Sequence, residues 1–122
     1  PHHVQWVDDV ETVDVKPEGA AIRYGTLYAD KGGSNVNFVS KKDGSFKVRT
    51  YERGVEDETY SCGTGVTAVA IALYHTKQTK AQTITLHTRG GDLQVSFDRV
   101  AEEYKNIYLS GSAQFVFEGV IK

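Results

Sequence analysis

The sequence predicts an α+β fold in which a curved, mostly antiparallel sheet of about eight strands wraps around one buried central helix. Three observations predict it. Residues 66–74 read Val-Thr-Ala-Val-Ala-Ile-Ala-Leu-Tyr and are apolar on every face except at Thr67, as expected of a helix buried all round rather than lying on a surface. On either side stand short segments of alternating polarity, each bounded by glycine-containing turns, which is the pattern of strands. The length, 122 residues, suits one domain able to bury a core of its own.

Taken in order, residues 4–7 read as a short strand, followed by the acids Asp8, Asp9 and Glu11. Pro17-Glu18-Gly19 reads as a turn, leading into an alternating stretch at 21–29 that is expected to be extended. Lys31-Gly32-Gly33-Ser34 is a second turn, 35–39 a strand, and Lys41-Lys42-Asp43-Gly44 a hairpin turn of the Asp-Gly kind. Residues 46–53 alternate cleanly. Phe46, Val48, Thr50 and Glu52 share one face, and Lys47, Arg49, Tyr51 and Arg53 the other. The spacing of Val66, Val69, Ala70 and Leu73 fits a helical stripe, and the alanines favour helix over strand. After the helix come a strand at 83–88, a tight turn at 89–92, a returning strand at 93–97, and strands at 107–109 and 114–120.

The net charge of −2 gives no electrostatic footprint for nucleic acid or an anionic membrane. A single cysteine rules out an intrachain disulfide and suits a reducing, cytoplasmic setting. No apolar run approaches the length of a membrane span. The chain contains no Met and begins at Pro1, so it is expected to be a piece of a longer polypeptide.

Cys62-Gly63-Thr64-Gly65 places that cysteine where the helix begins. The first turn of a helix carries unpaired N–H donors and the positive end of the dipole, and Gly63 and Gly65 let the backbone approach a ligand. A carboxylate or phosphate would sit well there, and a thiol placed there would lose its proton more easily than a free one. The plainer reading makes Cys62 a small buried hydrophobe. Glu52, at a strand end before Gly54, points to the apolar side, where a carboxylate needs a partner or a task. Arg53 points the other way unless a bulge at Gly54 brings both into one pocket. The plain alternative is an exposed ion pair. Asn35 and Asn37 flank one valine in a strand, where asparagine is unfavourable; they serve a ligand or an edge turn. His2-His3 reads as a frayed terminus or a tag remnant. With His75 and His87 distant in sequence, no metal-ligand spacing is present.

Pro1-His2-His3-Val4, Asn35-Val36-Asn37-Phe38-Val39, Tyr51-Glu52-Arg53-Gly54-Val55, Glu58-Thr59, Cys62-Gly63-Thr64-Gly65, Gly90-Gly91-Asp92-Leu93 and the stretch from Gly111 through Phe115-Val116-Phe117-Glu118-Gly119 occur in this order along the chain. Together they resemble the C-terminal half of the diaminopimelate epimerase family. The resemblance implies an enzyme that interconverts LL- and meso-diaminopimelate for lysine and peptidoglycan precursor synthesis, as in bacteria, without pyridoxal phosphate, metal or other cofactor. It implies two similar halves, each a curved sheet around a helix, with a cysteine from each half facing the substrate α-carbon. Cys62 matches the catalytic cysteine of the second half, and Gly63 and Thr64 the backbone donors for the α-carboxylate. Glu52 and Arg53 match substrate-contacting residues, Glu52 also assisting catalysis. Asn35 matches a substrate-binding asparagine, and His2 a histidine that assists the cysteines.

The partners so implied are the small-molecule substrate and the N-terminal domain of the same polypeptide, with room for a homodimer and no role for nucleic acid or membrane. The family's asparagine before Pro1 is missing, and the loop holding Glu56-Asp57 is one residue longer than the family's single glycine. With one cysteine, the 122 residues alone are expected to be inactive. The competing readings are a related cofactor-independent racemase of the proline type, an isomerase of the phenazine type that lacks the thiols, and a non-catalytic binding domain in which Cys62 merely packs.

Overall fold

The computed structural model of the chain describes residues 1–111. Seven strands form one mixed sheet among them: β1 (His2–Trp6), β2 (Asn35–Lys42), β3 (Ser45–Glu52), β4 (Asp57–Thr59), β5 (Thr83–Thr88), β6 (Gly91–Val100) and β7 (Glu103–Gly111). The order across the sheet is β1-β2-β3-β5-β6-β7, with β4 paired to β3 off this path. β1 runs parallel to β2, β3 parallel to β5, and the remaining pairs are antiparallel. The expected strand at 114–120 lies outside the described residues.

Alternation along the central strands sorts the core into two layers. Val39, Phe46 and Val48 face helix α2 (Gly63–His75) and join Val66, Val69, Ala70 and Leu73 with Ile84, Leu86, Val95 and Phe97 of the curled far strands. Val36, Phe38 and Tyr51 point the opposite way, into a second cluster with Val10, Val13 and Val15. The face sharing expected for Phe46, Val48, Thr50 and Glu52 is therefore present. Asp43 and Gly44 both have positive φ, 52° and 78°, so the Asp-Gly hairpin turn forms between β2 and β3 as its residues require.

Four expectations need correction. Residues 15–29 are helical rather than a turn and a strand: α1 spans Val15–Arg23, and a 3-10 helix spans Thr26–Lys31. Pro17 sits in the first turn of α1, where its missing N–H costs no helical bond. Burial of Val15 and Gly19 against the sheet overrides the alternation that suggested a strand. A central helix is therefore not the only helix; α1 covers the opposite face of the sheet. Residues 53–56 turn back into β4, so β3 ends in a hairpin rather than a bulge. Finally, α2 is not buried on all sides. Val66, Val69, Ala70 and Leu73 are buried, but Thr67, Ala68, Ile71 and Ala72 are only half-buried among the described residues, because the described strands pack on one flank of the helix.

Gly19 is where α1 meets the sheet. A Cβ there would stand 2.5 Å from Tyr51 Cβ and 2.7 Å from Cγ, which only a shift of the helix could relieve. Gly19→Val should lower the stability of the chain by about 1–3 kcal/mol through overpacking, despite the better helix propensity of valine. A urea titration followed by circular dichroism measures it, and an unchanged midpoint would mean that α1 does not press on Tyr51.

Candidate active site

Cys62 is the N-cap residue of α2, with extended backbone (φ −134°, ψ 112°), and its carbonyl accepts the first helical bond from Val66 N–H at 2.8 Å. The side chain makes no capping bond. Its Sγ instead lies 3.4 Å from Thr64 Oγ1, and the residue is half-buried. Among the described residues no acceptor reaches the N–H groups of Gly63, Thr64 or Gly65. They form an open donor set at the positive end of α2, the arrangement that holds a carboxylate. A hollow of about 460 Å³ lined by Gly63, Thr64, Thr67 and Leu109 opens beside this turn.

Helix α2 packs against β1 and β2, and its first turn meets Asn37 of β2. Asn37 is fully buried, and a Cβ on Gly65 would run into its Oδ1. The same Oδ1 accepts from Thr50 Oγ1 at 3.0 Å, while Nδ2 donates to the His3 carbonyl at 3.1 Å and reaches His2 Nδ1 at 3.4 Å. By alternation, His2 shares the face of Val4, Asn35 that of Asn37 and Val39, and Glu52 that of Thr50 and Val48. His2 pairs with Asn35 across β1 and β2. The structure thus brings His2, Asn35 and Glu52 to the end of the sheet face that carries the first turn of α2.

Each sequence-predicted residue has a definite environment. Asn35 Oδ1 accepts from the Arg53 backbone N–H at 2.8 Å, so this asparagine shapes the Glu52-Arg53 turn. Glu52 Oε1 accepts from Thr59 Oγ1 at 3.4 Å. Arg53 is exposed, its Nη1 lying 3.4–3.5 Å from the carbonyls of Lys31, Gly32 and Gly33. His2 and His3 are not frayed: both lie in β1, paired to β2, and His3 Nδ1 is 2.7 Å from Tyr28 Oη. Burial, with the positive charge of Arg53 adding to it, holds the His2 imidazole below its usual 6.5. A neutral imidazole is a base rather than an acid.

Nothing local in the sequence marks Asn37 as a structural hub, because its partners come from three separate segments. Thr59 lies on a three-residue strand with no periodic signal of its own. Arg49 was likewise not legible. It donates to both oxygens of Glu58 at 2.7 Å and to the carbonyls of Val10 and Val13 at 2.8 and 2.9 Å. Arg89 adds a 3.0 Å contact to Glu58. These charges satisfy one another on the face opposite α2. No group of three or more His, Cys, Asp or Glu side chains among the described residues could hold a metal, and no described helix is long and apolar enough to cross a membrane.

A curled mixed sheet that sets a cysteine and a free helix N-terminus at its edge defines the class: half of an epimerase-type α+β fold. Solved structures share it, including a predicted epimerase of Pseudomonas aeruginosa (TM-score 0.58, 19% identity, 83% of this chain and 34% of that one). Another is a hydroxyproline epimerase of Agrobacterium vitis (TM-score 0.57, 15% identity, 80% of this chain and 30% of that one). These likenesses concern the fold.

The diaminopimelate epimerase family model matches residues 1–116, and the chain belongs to that family. It is 53% identical over 122 residues to the diaminopimelate epimerase of Flavobacterium psychrophilum, covering 99% of this chain and 47% of that protein. To that of Aquifex aeolicus it is 46% identical over 121 residues, covering 98% and 42%. The chain therefore spans less than half the length of these relatives.

Two outcomes follow from the geometry. The His2 imidazole should titrate below pH 6.5 in an NMR pH series. Because the folded value lies below the unfolded one, the stability it contributes is complete above pH 6.5 and is lost as pH falls below it. Asn37→Ala should cost about 1–3 kcal/mol by leaving buried partners unpaired, read from thermal melts; a change within error would remove Asn37 from its place beneath the helix.

Proposed function

We propose that this chain supplies one half of the active site of a diaminopimelate epimerase. In this reading Cys62 is one of two acid–base groups flanking the substrate α-carbon, and the second cysteine comes from the remainder of the polypeptide. The observation that carries it is the half-buried Cys62 thiol at the mouth of a helix whose first three N–H groups have no acceptor among the described residues.

An amino-acid α-proton is very weakly acidic, so its removal needs the developing charge stabilised. The α-carboxylate, held by the N–H groups of Gly63 and Thr64, takes up the electron pair left on carbon. Preorganised donors in a closed site are worth several kcal/mol to such a charge. One sulfur, as thiolate, takes the proton from one face, and the other, as thiol, delivers its own to the opposite face. Inversion follows, with the two protonation states exchanged. Cys62 serves as base for one stereoisomer and acid for the other.

In this reading His2, whose burial favours the neutral imidazole, and Glu52 assist proton movement at the sulfurs. Asn35 and Arg53, with Glu52, recognise the polar remainder of the substrate. Two amino-acid heads separate diaminopimelate from proline-type substrates, whose apolar ring has no use for these groups. The two-thiol mechanism requires no cofactor, and the pathway served is lysine and peptidoglycan precursor synthesis.

Cys62→Ala in the full-length polypeptide should lower kcat for diaminopimelate epimerisation by about 10²–10⁴-fold or more, the usual worth of a positioned acid or base. The 122 residues alone should take up no deuterium at the α-carbon and invert no stereocentre in heavy water. Stereoinversion by the isolated chain at the full-length rate, or full activity in the Cys62→Ala protein, sinks the two-thiol reading. Faster turnover of proline than of diaminopimelate by the full-length protein would instead favour a proline-type racemase.

A further inference from the structure

We infer that Glu56 is a positioning residue for Arg53: it locks Arg23 against the Gly32 carbonyl and closes the Glu52-Arg53 turn, so fixing where the Arg53 guanidinium stands. The inference rests on the reading in which Arg53 contacts substrate.

Glu56 lies in the loop where this chain carries Glu56-Asp57 in place of the single glycine of the family it resembles. Its backbone has φ 60°, a conformation that an L side chain adopts at a cost and keeps only when its surroundings hold it. The surroundings are unusually complete. Oε1 accepts from Arg23 Nε at 2.9 Å. Oε2 accepts from Arg23 Nη2 at 3.1 Å and from Tyr24 Oη at 2.6 Å. Tyr51 Oη lies 3.4 Å from Oε1. The pair is substantially buried, with side-chain exposures of 15% for Arg23 and 34% for Glu56. The bond from Tyr24 to the carboxylate pushes that phenol up to about 12, and Arg23 and Tyr24 hold the Glu56 carboxyl below its usual range. A planar guanidinium bound to a carboxylate through two N–H groups is held in orientation as well as in place.

The other end of Arg23 is already committed. Its Nη1 donates to the Gly32 carbonyl at 2.9 Å, and a Cβ on Gly33 would collide with the guanidinium. That Gly32 carbonyl is one of the three lying within 3.4–3.5 Å of Arg53 Nη1. Two guanidinium groups thus meet at one carbonyl. With Glu56 present, Arg23 is neutralised and Arg53 keeps its position beside it; without Glu56, two uncompensated cations face each other across one oxygen. The backbone adds a second link. Glu56 N–H donates to the Glu52 carbonyl at 2.8 Å and Val55 N–H to the same oxygen at 3.2 Å, closing the turn that carries Arg53. Asn35 holds the turn from the opposite side through the Arg53 N–H. Asn35, which accepts the Arg53 N–H, stands opposite His2 across β1 and β2, so the turn that carries Arg53 lies at the His2 end of the sheet.

The test uses the full-length polypeptide and diaminopimelate, with KM and kcat measured separately. Glu56→Gln keeps the size of the side chain but cannot accept both Arg23 donors, and it should raise KM about tenfold with kcat within about twofold. Tyr24→Phe, which removes one exposed hydroxyl and leaves the ion pair, should raise KM about twofold; it carries the test if Glu56→Gln does not fold. Glu56→Asp should recover part of the affinity. Lys16→Ala, which breaks an exposed contact of Lys16 with Asp57 in the same loop, should change neither constant. Arg53→Ala tests the reading underneath and should raise KM more than Glu56→Gln does. If Arg53→Ala raises KM while folded Glu56→Gln and Tyr24→Phe do not, the positioning role is overturned and Arg53 keeps its own. If Arg53→Ala leaves KM unchanged, the substrate-contacting reading of Arg53 falls, and this inference falls with it. A loss of kcat in Glu56→Gln at constant KM also overturns it.

Discussion

The approach of Gly65 to Asn37 is the contact on which the site depends. A helix can present its N–H groups and a cysteine to a ligand only if its first turn is fixed relative to the groups opposite. Here the fixing element is a wholly buried amide beneath a residue with no side chain. Asn37 satisfies its own polar atoms through Thr50 and the His2-His3 segment, so one side chain ties β1, β2, β3 and α2 together. A buried amide so bonded is worth little in net stability, but it leaves one register in which every partner is met. The apolar cluster beneath Val66, Val69 and Leu73 supplies the bulk of the attraction; Asn37 decides where the helix starts.

The opposite face of the sheet is held differently. There the loop from β3 to the cysteine is anchored by two arginine–carboxylate pairs, Arg23 with Glu56 and Arg49 with Glu58. Both arginines also donate to backbone carbonyls of other segments. Such pairs hold geometry better than they add stability, because desolvation offsets much of the attraction. A loop that carries the chain from β3 toward Cys62 is held to one path by that geometry. These polar anchors lie on the α1 side, opposite the face whose apolar residues pack on α2.

The helix entry and its neighbours in β3 are legible in the sequence. The lone cysteine, the Gly-x-Gly turn and the apolar run after it identify a helix entry, and strict alternation at 46–53 puts Glu52 on the face of that helix. Asn35, Arg53 and His2 were marked by the family resemblance rather than by pattern. The helix at 15–23 was not legible, since its alternating residues and Pro17 imitate a turn and a strand; burial against Tyr51 decides its state. β4 is too short to show a period, and its pairing comes from the hairpin at 53–56.

The sequence by itself determined the elements whose cause is local: the Asp43-Gly44 turn, the alternation of β3, and the helix that begins after Cys62. Backbone preference and side-chain period act over a few residues and can be read there. Only the tertiary structure decided which groups meet: Asn37 beneath Gly65, Arg23 with Glu56, and Arg49 with Glu58. Those contacts join residues from 9 to 33 positions apart in the chain, and their energies exist only once the sheet has folded and removed the groups from water.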